Sequence, residues 1–551
     1  MKLLGRFMFQ CAAGLALLLV PLSLAQAELK PLLVVSVASV DEMLADIKYV
    51  TKASGFEQAG NTADFFGKAY SNGVDRKRPI GVIVTAKEGG EFVSLSFIPV
   101  SDMKAILATL KEPIGEPKDA GDGVLELAAG PQTVFIKEVA GWAFVAQQKE
   151  HLAELPADPS ALLGTLPKDY TLAAKLSMQN LPADLKKMAA DQIRMGFETN
   201  LQNAPDAPGF DRELMEKVNR NAMENFIRML DELEDITVGF NIDAPGQRTY
   251  LDIGVTAIAG SRLAKQVEQA AQTKSSFAAF LVPGAAATLN FAAPVAKEDL
   301  EQTRVLIEGI KVNVQKELDD DPNLDATRRA AAKELIAGFI DVLQKTLEEG
   351  KLDGGAALLL EPKSLNFVAG GLVADGAKVE ALFKRLADLA KDEADAPEIK
   401  LNSGKHGDVN LHTISGPNDD EKAREILGDK IHIVLGTGPK SLYLAFGKDG
   451  EGLLKKMIDQ VSQQGPTAVP PSQLNVSLLP ILKFAASVDD NPIVPALVSV
   501  VEKNGKDKIT IVTEIKSRGS NTRILVEEGV LQAIGEGVKQ AGLANGGQQE
   551  F

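Results

Sequence analysis

The chain has one cysteine in 551 residues, Cys11, and it lies in the first apolar stretch. The 540 residues after it cannot form a disulfide, a thiolate metal site or a cysteine nucleophile. Histidine is almost as scarce, with four copies, and the chain has one tryptophan and five tyrosines. Metal and acid–base chemistry built on imidazole has little to draw on, and neither do aromatic platforms for sugars. There is no G-x-S-x-G, no P-loop and no H-E-x-x-H. Carboxylates are abundant, but sequence does not pair them across a cleft, so glycosidase logic has no foothold. Beyond the N-terminus, no segment reaches the ~20 apolar residues of a membrane span without charge. Basic residues are the minority, 59 Lys and Arg against 75 Asp and Glu. That balance disfavours nucleic acid and anionic membrane surfaces, and it suits solubility.

The first 27 residues read as a targeting signal. Lys2 and Arg6 form a basic start, Cys11 to Leu24 an apolar core, and Ala25-Gln26-Ala27 a small-x-small cleavage site. Met8-Phe9-Gln10 before Cys11 does not make a lipoprotein box. Cleavage at Ala27 leaves 57 basic against 75 acidic residues, a formal charge of −18. The expectation is an acidic, cysteine-free chain, periplasmic or extracellular, with no transmembrane segment.

The stretch that organises the rest is Ala356 to Ala390. It reads as strand, turn at Glu361-Pro362-Lys363, strand with Gly370-Gly371 inside it, and then a helix capped by Asp375. Val379, Leu382, Phe383, Leu386 and Leu389 have the spacing of one helical face. Similar units begin near Ile80, Thr133, Ile236, Ile431 and Ile509. Turn signals include Gly89-Gly90, Ala140-Gly141, Ala244-Pro245-Gly246 and Gly436 to Pro439. Ser101 stands where a cap is needed before Met103, Ile106, Leu107 and Leu110.

The first three units match the last three in order and spacing. The pattern predicts an α+β fold in two related halves, 28–280 and 283–545, with curved antiparallel sheets covered by helices. Each half holds a long helix pair, 183–233 and 298–348, and 546–551 is a tail. Ser275 to Gly284 reads as the connection. The runs LLVVSVASVDEMLADI (32–47) and AATLNFAAPVAKEDLEQ (286–302) resemble exported bacterial proteins of the planctomycete type, built from divergent repeats. That resemblance implies a compartment and no activity.

Four constellations carry possible chemistry, each with a plainer reading. His406, Asp408 and His412 would offer zinc ligands if one strand ran through them, but Gly404 and Gly407 argue for a turn. Asp319, Asp321, Asn323 and Asp325 alternate like a calcium loop. Leu324 and Ala330 stand where its glycine and glutamate belong, so an acidic loop with Asp325 as a cap is simpler. Ser101 and Lys104 match S-x-x-K without the Lys-Thr-Gly strand that penicillin-binding enzymes also need. Met178, Met188, Met195, Met215, Met223 and Met229 concentrate on one helix pair, where methionine lines adaptable apolar surfaces or fills core.

No catalytic, metal or cofactor site emerges. The leading expectation is an exported, non-enzymatic binding or scaffold protein acting through its sheet-and-helix surface on a protein partner. The alternatives are a periplasmic carrier of an apolar ligand such as a lipid, with the six methionines as its lining, and an enzyme with an unrecognised carboxylate site.

Overall fold

A computed structural model describes residues 30–86, 91–129, 132–203, 212–322, 325–391 and 396–544. The signal segment, the Gly89-Gly90 turn, Asn323 and Leu324 lie outside the described residues. The fold is α+β, with curved, unclosed antiparallel sheet structure. Contacts divide the chain into two compact units. One is Met1–Gln192 with Leu230–Ile258, the other Ile193–Met229 with Ala259–Phe551.

Ten strands lie in the first unit: β1 (Leu33–Val37), β2 (Ile80–Ala86), β3 (Phe92–Pro99), β4 (Lys118–Gly121), β5 (Val124–Ala129), β6 (Gln132–Val139), β7 (Trp142–Ala146), β8 (Leu172–Ser177), β9 (Leu233–Asp243) and β10 (Arg248–Ala257). They pair in the order β4-β5-β6-β7-β3-β2-β1-β8-β9-β10, every pair antiparallel.

The second unit carries ten corresponding strands, besides a short separate pairing of Lys274–Ser275 with Thr467–Ala468: β11 (Ala287–Pro294), β12 (Lys351–Glu361), β13 (Ser364–Leu372), β14 (Glu398–His406), β15 (Val409–Pro417), β16 (Lys430–Gly438), β17 (Ser441–Gly447), β18 (Ser472–Ser477), β19 (Lys508–Lys516) and β20 (Gly519–Glu527). Their order is β14-β15-β16-β17-β13-β12-β11-β18-β19-β20, again antiparallel throughout. Each strand of the first unit thus has its counterpart ten labels on.

The register corresponds as well as the order. Ser36 pairs with Gly81 on one side and Ala173 on the other, while Asn290 pairs with Gly355 and Gln473. The buried row Ile83–Leu95–Ala146 of the first unit matches Ala357–Val368–Ala445 of the second. A one-residue slip would turn every side chain to the wrong face, so burial pins both registers.

Local chemistry sets the joints. Ala140 and Gly141 both take positive φ, 49° and 74°, as a two-residue hairpin turn between β6 and β7 requires. Asp375 and Asp325 cap their helices as expected, each carboxylate accepting first-turn amides. The cap of Met103–Ile114 is Asp102 rather than Ser101; the Asp102 carboxylate takes the amides of both Lys104 and Ala105. The hairpin turn expected at Gly436 to Pro439 lies later, because β16 runs on to Gly438 and β17 opens at Ser441. The apolar run Leu474 to Leu479 divides at Ser477. Leu478–Val488 is helical, since nearly every side chain there is apolar and a helix can bury several of its faces.

The cores differ in how they are filled. In the first unit Phe97, Phe144 and Trp142 meet over Gly81, whose missing Cβ leaves room for the Phe97 ring. In the second unit the position of Phe97 is Gly370. Tyr443 and Phe280 fill the space instead, over Gly355 and Gly370. Phe280 comes from the stretch expected as a connection. The first part of that stretch is buried: Ser275 and Phe280 are both 0% exposed, and the Ser275 hydroxyl donates to Asp353 at 2.6 Å. The second unit needs the two phenyl rings of Phe277 and Phe280 because its hairpin has glycine where the first unit has phenylalanine.

On the helix Val40–Ala53, Asp46 is buried and accepts a hydrogen bond from Thr171 at 2.6 Å. Burial pushes its carboxyl above the usual range, more than the Thr171 hydroxyl lowers it. Glu42, one turn earlier, is raised too, by burial and by the Asp46 charge. A raised acid holds its proton more tightly in the folded chain than in the unfolded one. Stability is therefore lost as pH rises through the raised value. Asp46→Asn is expected to raise Tm at pH 7 and to make no difference below about pH 4 in thermal melts.

Candidate apolar ligand site

Alternation along β12 and β13 sends Gly355, Ala357, Val368 and Gly370 to the filled core. It sends Gly354, Ala356, Ala369 and Gly371 to the other face. There the register lines up two rows across four strands. One row is Leu289–Ala356–Ala369–Leu444 and the next is Phe291–Gly354–Gly371–Leu442. Each row has large apolar side chains at its ends and the smallest residues in the middle.

The result is a trough in the second unit, roughly 14 Å between the outer strands at ~4.8 Å per strand. Its floor is Gly and Ala, and its walls are Leu289 and Phe291 on one side and Leu442 and Leu444 on the other. Leu289, Phe291 and Leu444 are 37%, 38% and 36% exposed. The Phe291 ring leans over Gly354, where a Cβ would come within 2.8 Å of it. A Cβ on Gly371 would meet nothing nearer than 3.5 Å.

The first unit has no such trough. At the matching register positions stand Val35, Val82, Ser96 and Val145 in one row, and Val37, Ile80, Ile98 and Ala143 in the next. Its open apolar side chains lie elsewhere, at Leu172, Val238, Phe240 and Ile253, paired neighbours on β8, β9 and β10.

The far wall of the trough is tied to a helix. Leu442 packs with Val379, Leu382 and Phe383 of the helix Gly376–Ala390, and with Leu335, Phe339 and Val342 of Ala326–Glu348. The row through Leu444 continues to Leu435 and then to His412, which is 1% exposed. His412 Nδ1 accepts the Asn402 amide at 3.2 Å, and its Nε2 lies 2.8 Å from Thr437 Oγ1. The amide is a fixed donor, so the ring is the Nε2–H tautomer and donates to Thr437. Thr437 in turn donates to Glu380 Oε2 at 3.2 Å, and Asn410 and Asn402 donate to the same carboxylate. Asn402 reaches both partners from a bulge in β14, with φ at 51°. Burial holds the His412 imidazole below its usual value, partly offset by Glu380. The Asn410 bond, together with the Asn402 and Thr437 bonds, holds Glu380 below the carboxylate range.

The zinc arrangement does not form. The chain turns after His406, with Gly407 at φ 59°, so His406 and His412 lie on paired strands and face opposite sides. His406 Nε2 pairs with Asp459 on the helix Gly450–Gln464, and His432 is exposed. In the acidic loop Asp325 is spent as a cap, and Asp319 pairs with Lys333. Among the described residues, no group of three His, Cys, Asp or Glu side chains is placed to hold a metal ion.

The six methionines divide. Met188 and Met195 are exposed at 52% and 66%, Met223 is buried beside Ile227, and Met178 and Met229 are half-buried. Met215 lies in the helix Arg212–Asp231. Two surface clefts, of about 510 and 800 Å³, are lined by Ala278 to Pro283 with Lys456 and Gln460, and by Gly55 to Phe66. No methionine lines either one. The composition of the hairpin hints at the trough, with Gly-Gly-Ala-Ala at 354–357 opposite Ala-Gly-Gly at 369–371, but its walls come from strands that only the register brings alongside.

No family model matches the chain. No curated protein matches it either. One solved structure, crystal form I of TP0453, is similar over 49% of this chain and 98% of its own. That likeness has 12% identity and a TM-score of 0.20, too slight to bear on fold or function.

The two adjacent glycines of β13 give a direct check of the face assignment. Gly370→Ala is expected to cost about 1–3 kcal/mol, because its Cβ would meet Tyr443 at 2.7 Å and Phe280 at 2.9 Å. Gly371→Ala is expected to leave the unfolding free energy from urea melts within about 0.5 kcal/mol of the parent.

Proposed function

We propose that this is an exported, non-enzymatic binding protein whose ligand is apolar and lies in the trough of the second unit. The single observation that carries the reading is the pair of rows with small residues at the centre and large apolar residues at the ends, of which Leu289, Phe291 and Leu444 are partly exposed. A filled sheet face needs larger residues in the middle, as the first unit has at Val82, Ile80 and Ile98. A face with a hollow centre and partly exposed walls suits an apolar body such as an acyl chain. The basic start, apolar core and small-x-small site of residues 1–27 support export, and no described helix is long and apolar enough to cross a membrane.

A second reading keeps a protein partner. The helix Glu57–Tyr70 presents Phe65 at 69% and Tyr70 at 62% exposure, with Phe66 between them in ring contact with both. Three aromatic rings on one exposed helix favour an interaction surface.

Native mass spectrometry of protein prepared without detergent, with a solvent extract analysed for lipids, tests the first reading. A stoichiometric apolar ligand is expected. Ala356→Val with Gly371→Ile gives the trough the first unit's filling, and is expected to weaken binding of a fluorescent fatty acid at least tenfold with an unchanged melt. Unchanged affinity in that double variant excludes the trough as the site.

A further inference from the structure

His412 is held in a form that has no room for a second proton. Its Nδ1 faces the Asn402 backbone amide, a donor that cannot reverse its role. A proton added there sets N–H against N–H at a ring that is only 1% exposed, where an unpaired donor is costly. The contact is relieved only if the bulge at Asn402 moves away. Asn402 also holds Glu380 through its side chain, so its movement loosens the tie between β14 and the helix Gly376–Ala390. That helix packs on Leu442, the wall of the trough's glycine row.

Resting on the reading of the trough as an apolar site, we infer that His412, Asn402, Thr437 and Glu380 form an acid-operated latch. It fastens the helix Gly376–Ala390 at neutral pH and frees it, and the ligand beneath its edge, on acidification. Glu380 is the charged group whose field reaches His412; its other neighbours in the network, Asn402, Thr437 and Asn410, are neutral. His406 and its partner Asp459 sit on the opposite face.

The direction follows from linkage. The folded value of His412 lies below the ordinary 6.5, so the unfolded or unlatched ring binds the proton first. The latch is at full strength above about pH 6.5 and weakens as pH falls through the depressed folded value. Glu380, also depressed, adds to the loss at still lower pH and in the same direction.

The test uses the full chain at pH 7.5 and pH 5.0, with two readouts. One is affinity for a fluorescent fatty acid. The other is hydrogen exchange of the amides in Gly376–Ala390, corrected for intrinsic rates and compared with those in Gly450–Gln464. Acid is expected to weaken binding at least tenfold and to speed exchange in Gly376–Ala390 at least tenfold, leaving Gly450–Gln464 unchanged. His412→Gln keeps a donor toward Thr437 and cannot take the proton, so both acid effects are expected to vanish. Glu380→Gln removes the carboxylate that Asn402, Asn410 and Thr437 hold, and is expected to speed exchange in Gly376–Ala390 already at pH 7.5. Exchange that does not change with pH, or that changes equally in His412→Gln, overturns the latch. Absence of fatty-acid binding at both pH values, with the exchange response intact, overturns the trough as a fatty-acid site and leaves the latch established by exchange alone.

Discussion

The hairpin β12–β13 is the constraint on which the second unit depends. A strand must send each side chain to one face or the other, and this hairpin has glycine or alanine on both faces at its centre. On one face that thinness is filled by Phe280 and Tyr443. On the other it is left open between leucine and phenylalanine walls. The same seven small residues explain why a stretch well outside the hairpin, Ser275 to Phe280, is drawn into the core. Ser275, Asp353 and Asn290 fix that stretch by hydrogen bonds, so the two faces of the hairpin are settled together.

The correspondence of the two strand orders gives this asymmetry its meaning. Where register and burial agree between the units, as at Ile83 and Ala357 or Ala146 and Ala445, the residues serve the common architecture. Where they disagree, as at Ile80 against Gly354 or Ile98 against Gly371, the second unit has small residues in places where the first has large ones. The trough is such a place. It sits beside a polar network that the hydrophobic pattern alone would not place there, with a histidine locked into one tautomer by a backbone amide.

Much of the fold was legible in the sequence because period-2 alternation and turn chemistry are local. The hairpins across Ala140-Gly141 and Pro362-Lys363 follow from residues at the turn itself. The helices capped by Asp325 and Asp375 follow from a carboxylate just ahead of an apolar stripe. What was missed depends on partners far along the chain. Ser275 to Gly284 falls between the two matching patterns and so reads as a connection despite its apolar Phe277, Phe280, Leu281 and Val282, and only Gly355 and Gly370 show why the rings are buried. The methionine cluster drew attention by composition, yet Met188 and Met195 face outward, since nothing in spacing alone says which side of a helix is covered. The trough was invisible for the same reason: it exists only once four strands lie side by side in register.

Photo-crosslinking tests the central claim most directly. A diazirine-bearing fatty acid is irradiated with the full chain at neutral pH, and the labelled peptides are mapped. The account predicts adducts on the walls and floor of the trough, at Leu289, Phe291, Ala356, Ala369, Leu442 and Leu444, suppressed by Ala356→Val with Gly371→Ile. Specific, saturable labelling confined to the helix Glu57–Tyr70, or to the methionine-bearing helices 183–203 and 212–231, would contradict it.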